Sequence, residues 1–284
     1  MKKIALIPMF IMLLAVAAAA QMMGAPPQVT TDPKQAFISG SIIVKGEGAA
    51  PADKSLSPAQ KRIMALRAAK VVALREIAEV IDGVAVSGDT TVQNAAVQSD
   101  TIRATVQGMI KGAQIVNEVY DPMSEMAVVY LSVPLHGPNG LMGQLVPQVI
   151  PLLPMQAAPY VQPPSQAPQQ AQNYDGLILD VREQPFRPAL INRVLSKNGE
   201  AIYDPTKVAQ NILVERGAAE YTNDVGKAKA LLGERGAANP LVVKASGLVK
   251  ATDIVVGPDE ATAIFSSNQS GNYLESAKVV IVLK

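Results

Sequence analysis

The chain has 284 residues, 25 Lys and Arg against 24 Asp and Glu, a single His, no Cys and no Trp. This near-neutral balance supplies no basic field for nucleic acid or for an anionic membrane surface. The missing Cys excludes disulfides, thiolate metal sites and an acylated lipoprotein anchor, and the lone His excludes a site with two imidazole ligands.

Met1-Lys2-Lys3, the uncharged apolar run from Ile4 to Val16 and the small residues Ala17 to Ala20 follow the pattern of a secretory signal cut before Gln21. The run is shorter than the ~20 residues of a membrane span. Residues 1–20 are therefore expected to be removed, with the protein exported to the periplasm or the outer-membrane periphery. Without Lys2 and Lys3, basic residues number one fewer than acidic ones. The remaining length of about 260 residues suits two modest domains. Their cores must be aliphatic, because aromatic residues are few.

Residues 21–35 are polar, small and Pro-containing, and read as a mobile leader. Ala36 to Gly46 carries Phe37, Ile38, Ile42, Ile43 and Val44 and reads as a first strand. A Gly/Ala/Pro/Ser loop reaches Leu56. Ser57 and Pro58 are then a helix cap and first-turn residue. Strong helix formers follow, with Ile63, Leu66, Val71, Leu74, Ile77, Ala78 and Ile81 on one arc at the helical period. Asp82-Gly83 supplies the stop, with Gly suited to the left-handed position. Ser99 caps a second helix bearing Ile102, Val106 and Met109, which Gly108 and Gly112 weaken. Ala113–Tyr120 and Met126–Val133 read as two strands around an Asp121-Pro122-Met123-Ser124 turn.

From Met126 to Tyr174 there is no Asp, Glu, Lys or Arg. Residues 136–173 are Pro- and Gln-rich and read as an uncharged linker. Their first half is apolar and unsuited to free solvent, so it is expected to dock on a domain or on a neighbouring subunit. From Tyr174 onward, strands at Leu177–Val181, Leu241–Ala245, Asp253–Val256 and Ala277–Leu283 alternate with helices after Asp204-Pro205, near Asp224 and after Pro258. The expected fold class is α+β with two small domains. Residues 36–135 form the first, β-α-β-α-β-β with helices on one face of a sheet. Residues 174–284 form the second, a small α/β or α+β sandwich.

Catalytic and ligand motifs are sought and not found. No phosphate-binding Gly loop, dinucleotide fingerprint, nucleophile elbow or EF-hand loop occurs, so no cofactor or metal site is expected. His136 stands at the exit of the first domain and reads as an exposed loop residue rather than a general base. Asp180 with Glu183, or Asp259 with Glu260, are pairs a glycosidase would need. Asp259 and Glu260 are better read as first-turn charges favoured by the helix dipole. Arg67 and Lys70 fall inside the apolar arc of the long helix. Either their methylene stems cover the core edge, or that edge meets the second domain or another subunit. Together with Leu145, Val149 and Leu152 of the apolar run, they are the candidate interface residues.

The stretch from Arg67 to Val84 (RAAKVVALREIAEVIDGV) resembles the helix-to-Gly-Val segment of the bacterial Lpp-twenty lipoprotein group and of the flagellar assembly T and P proteins that share its domain. Asp89-Thr90-Thr91-Val92, Ser99-Asp100, Val106-Gln107-Gly108, Lys111-Gly112-Ala113 and Val133-Pro134-Leu135 follow in the same order and spacing. The resemblance covers about residues 36–135. Gly176 to Val181 and Pro188-Ala189-Leu190 resemble a partner domain found beside such modules. The resemblance implies a non-enzymatic envelope protein whose partners are envelope or flagellar proteins or a second copy of itself. It offers no catalytic residues, and the missing Cys removes the family's direct lipid anchor. The alternative is a periplasmic binding module holding a small molecule or polysaccharide between the domains. A hydrolase would need titratable groups clustered in a cleft.

Overall fold

The structure, a computed structural model, describes residues 26–30, 32–153, 157–163 and 173–284. The expected signal, residues 1–20, lies outside them. The architecture is α+β, with helices packed on antiparallel, parallel and mixed sheets. No helix among the described residues is long and apolar enough to cross a membrane.

The first element corrects the expected leader and first strand. Asp32 accepts a hydrogen bond from the Gln35 N–H, Pro33 occupies the first turn, and Gly40 closes the helix at φ 73°. Pro33–Ser39 is therefore helix α1, which buries Ala36 and Phe37. Strand β1 begins only at Ser41 (Ser41–Ala49). Asp, Pro and Gly at the two ends outweigh the apolar run between them, because they satisfy the orphan backbone groups of a short helix.

Helix α2 (Pro58–Gly83) starts as expected: Ser57 and Gln60 cap each other reciprocally. Its end differs, with the chain leaving through an extended Val84 rather than a left-handed glycine. Its buried face differs too. Ala65, Ala69, Ala73, Ile77 and Ile81 point inward, whereas Ile63 and Val71 are 50% and 49% exposed. The cause lies on β1. A Cβ added to Gly46 would stand 2.2 Å from the Ala69 carbonyl oxygen, and one on Gly48 2.3 Å from the Ala69 nitrogen. Helix and strand touch backbone to backbone, so only alanine fits the middle of the interface.

A short ribbon, β2 (Ala85–Ser87) with β3 (Thr90–Thr91), leads into α3 (Val92–Gln98) and α4 (Asp100–Lys111), the latter capped by Ser99. The hairpin β4 (Gln114–Asp121) and β5 (Met126–Pro134) completes an antiparallel sheet of order β1-β5-β4. Asp121 organises the turn by accepting from the N–H groups of Met123 (2.9 Å) and Ser124 (3.3 Å).

The segment expected as a linker carries structure. Leu141–Val149 is helix α5, followed by a 3-10 turn at Ile150–Leu152. Leu141, Met142, Leu145, Val146 and Val149 are buried, and Pro147 sits inside the helix. Beyond it, Tyr160 is buried. Its N–H donates to the Ala201 carbonyl (3.0 Å), and its ring meets Phe265 edge-on at 5.4 Å.

The second half holds two further sheets. Strands β6 (Gly176–Asp180), β9 (Glu220–Thr222), β10 (Pro240–Lys244) and β13 (Val279–Val282) form a parallel sheet of order β10-β6-β13-β9. All four residues of β13 are buried, as both-sided cover of a parallel sheet requires. Strands β7 (Val194–Leu195), β8 (Ala201–Tyr203), β11 (Gly247–Val249) and β12 (Asp253–Val255) form a mixed sheet of order β11-β12-β7-β8. Helices α6 (Gln210–Arg216), α7 (Val225–Glu234) and α8 (Pro258–Gly271) complete the fold.

The halves are joined by more than a tether. The Ala85 and Val86 carbonyls accept from the Leu190 and Ile191 N–H groups, each at 2.9 Å. The Gly88 N–H donates to Thr252 Oγ1 at 2.7 Å inside the protein. Phe37 packs on Tyr221 with ring centroids 5.0 Å apart. One continuous hydrophobic cluster includes Ile77, Leu131, Leu145, Leu179 and Ile281, and so spans α2, β5, α5, β6 and β13.

Candidate functional site

Three places could carry function: the junction around His136, the expected interface residues, and the open side of the first sheet.

His136 follows β5 and faces α6. The neighbouring Gly137 N–H donates to the Val214 carbonyl at 2.8 Å. Gly217, at φ 74°, lets the chain turn away, and a Cβ there would lie 2.9 Å from His136 Cε1. The imidazole is therefore half-buried, which corrects the expected exposed loop position. Among the described residues its buried Nδ1 has no hydrogen-bond partner. Burial holds its pKa below the usual value of 6.5; the nearby Arg235 guanidinium adds to this and Glu220 opposes it.

The adjoining charges are committed to structure. Arg235 donates through Nε to Glu220 Oε1 (2.7 Å), through Nη2 to the Arg216 carbonyl (2.5 Å), and through Nη1 to the Ala277 carbonyl. A cleft of about 300 Å3 opens between α1, His136 and β9. Among the described residues no carboxylate hydrogen-bonds to the ring, the orienting partner a histidine base needs.

This arrangement has a thermodynamic consequence. A histidine with a folded-state pKa below its unfolded value contributes stability that is fully present above about pH 6.5 and is lost as pH falls below that value. Asp253, whose carboxyl is raised by burial, contributes with the opposite sign. His136→Gln is expected to remove only the first effect. From about pH 7.5 to about pH 5 the urea midpoint should fall less, or rise more, in the variant than in the unmodified protein.

The expected interface residues are not brought together. Arg67 and Lys70 are exposed on α2 with no ion-pair partner among the described residues. Leu145 and Val149, expected to dock on a domain or on a neighbouring subunit, are fully inside the chain's own core, the first of those two outcomes. Pro147 does not prevent a helix here: burial of the five apolar side chains around it offsets the backbone hydrogen bond that its missing N–H forgoes. Leu152 alone of the three remains half-exposed.

A surface that the sequence reading passed over is strand β4. It ends the three-stranded sheet, and its outer edge has no partner strand among the described residues. Ile115 is 47% exposed, Val116 46% and Val119 39%. The strand contains no Lys, Arg or Pro, but Glu118 and Asp121 place two acidic side chains on it. A bulge falls between Ile115 and Asn117, beside a groove of about 410 Å3. Thr105 and Gly108 of α4, Gln114 of β4, Ser132 of β5 and Asn139 are among its lining residues. None of the groove's lining residues is charged. The side chains of Gln114, Ser132 and Asn139 make no hydrogen bond among the described residues. The sequence signal was the run Gln114-Ile-Val-Asn-Glu-Val-Tyr-Asp121, which breaks the apolar–polar alternation of a half-buried strand.

Among the described residues, no group of three or more His, Asp and Glu is placed to hold a metal ion. Residues 176–284 match the family model of the second domain of Treponema pallidum Tp0624. The chain matches no curated protein.

Proposed function

We propose that this is a non-enzymatic structural or scaffold protein of the bacterial cell envelope, associated with the outer membrane or a flagellar motor. It acts through contacts with other proteins. The observation that carries this reading is the open edge of β4. Three apolar side chains stand in solvent on a strand whose outer edge lacks a partner strand among the described residues, and such an edge is a template for binding another chain. The secretory pattern of residues 1–20 and the resemblance of residues 36–135 support the location.

The test is affinity purification of the tagged protein from envelope fractions, with the mass of the native complex measured. A complex containing envelope or motor proteins is expected, and recovery of a lone monomer contradicts the reading. The cleft beside His136 favours a second reading, a binding module for a small molecule or polysaccharide. That reading predicts a monomer whose melting temperature rises with ligand.

A further inference from the structure

We infer that the outer ridge of α2 lies on an anionic phospholipid surface and holds the protein to a membrane without an acyl anchor. The inference rests on the proposed envelope location and adds a lipid contact to the protein contacts.

The near-neutral charge of the whole chain conceals a local segregation. Residues 58–75 of α2 contain Lys61, Arg62, Arg67, Lys70 and Arg75 and no Asp or Glu. The acids of the helix, Glu76, Glu79 and Asp82, all follow. Lys61 is taken up by Glu125 at 2.7 Å. Arg62, Arg67, Lys70 and Arg75 are exposed and have no ion-pair partner among the described residues.

The free cations share their surface with apolar side chains. Residues four apart follow one line of a helix. Ala65, Ala69, Ala73, Ile77 and Ile81 form the line that faces the sheet. Ile63, Arg67, Val71 and Arg75 form a line on the opposite side, and all four are exposed. This line is about 18 Å long at 1.5 Å per residue. Met64, 40% exposed, widens it beside Ile63, and Arg62 and Lys70 flank it. The close approach of α2 to Gly46 and Gly48 admits only small side chains between them, so Ile63 and Val71 have no place in the core.

Shape and chemistry select the occupant. A helix laid on a sheet presents a convex ridge, which suits a flat surface better than it suits a peptide or a small molecule, both of which need a groove. Apolar and cationic side chains alternating along one line reach one plane together. That plane matches the headgroup boundary of a bilayer, where Ile63, Met64 and Val71 enter the acyl region and the cations stay at phosphate level. The guanidinium fork of Arg67 and Arg75 fits phosphate oxygens.

The test mixes protein purified after export with vesicles of phosphatidylethanolamine and phosphatidylglycerol, or of phosphatidylcholine alone, and reads the bound fraction by sedimentation. The unmodified protein and its variants are prepared alike, so any contribution of residues 1–20 is common to all. Binding to the anionic vesicles, weakened by added salt, is expected, with little to the neutral ones. Each Lys or Arg near an anionic leaflet strengthens binding about fivefold. Arg67→Glu with Arg75→Glu is therefore expected to weaken binding by about tenfold or more. Ile63→Ser with Val71→Ser is expected to weaken it by about threefold or more. All four positions are exposed, so melting temperatures should stay unchanged. Should the charge reversal lower the melting temperature, Arg67→Gln with Arg75→Gln decides, with a smaller loss in the same direction.

The inference is overturned by equal binding to both kinds of vesicle, by binding to neither, or by binding that the charge reversal leaves intact. It also falls if no vesicle binds and the charge reversal instead strips proteins from the envelope complex, since the ridge is then a contact for an acidic protein. A recovered envelope complex without vesicle binding would leave the scaffold role standing alone. A lone monomer that binds anionic vesicles through the ridge would leave the lipid contact and remove the scaffold role.

Discussion

Gly46→Val is expected to leave the protein unfolded, or destabilised by more than about 4 kcal/mol, as a large steric conflict in a core does. The added Cβ alone would lie 2.2 Å from the Ala69 carbonyl oxygen, 2.3 Å from the Ala73 nitrogen and 2.9 Å from the Ala73 Cα. All three are backbone atoms, so no side-chain rotation relieves the clash. Relief requires α2 to lift from β1, which would open the packing around Ala65, Ala69 and Ala73. A typical domain is stable by only about 5–15 kcal/mol. Far-UV circular dichroism and urea titration read the outcome. A variant with native helix content and an unchanged midpoint would show that helix and strand are not in backbone contact.

Arg235→Met is expected to destabilise the protein by about 3–5 kcal/mol, the usual consequence of stripping one partner from a buried charged pair. The guanidinium side chain is only 4% exposed and ties Glu220 of β9 to the ends of α6 and of the turn before β13. Methionine fills much of the volume but leaves the Glu220 carboxylate and the Arg216 and Ala277 carbonyls without donors. Adding Glu220→Gln removes the stranded charge. The double variant should recover more than about 1 kcal/mol, a coupling typical of contacting residues. Equal stabilities for the single and double variants would mean that the pair acts independently.

The termini of several elements were legible because capping is local chemistry. Ser57 and Pro58 at the start of α2, Ser99 before α4, Asp224 before α7 and Pro258 in α8 all stand where the sequence places them. The Asp121 turn was equally readable. Packing was not. The apolar arc of α2 follows side-chain hydrophobicity, but its buried face is chosen by Gly46 and Gly48, about 20 residues earlier in the chain. Glycine carries no hydropathy signal for such an approach.

Helix α5 was hidden by Pro147 and by the Pro- and Gln-rich composition around it. Its buried Leu145 and Val149 gain their cover from α4 and α6, which are distant in sequence. The two-residue strand β7 and the three-residue strands β8, β9 and β11 are too short to show a period and exist through their neighbours. Arg67 and Lys70 are exposed on α2, and the β4 edge became visible only once strand order showed which strand lacks a neighbour among the described residues.

The account turns on whether a partner protein occupies that edge, and hydrogen exchange reads it most directly. The purified chain is compared with the complex recovered from the envelope, residue by residue. Backbone amides of residues 114–121 that point away from β5 should exchange rapidly in the free protein and become protected in the complex. Unchanged exchange there, with new protection around the His136 cleft instead, would contradict the account.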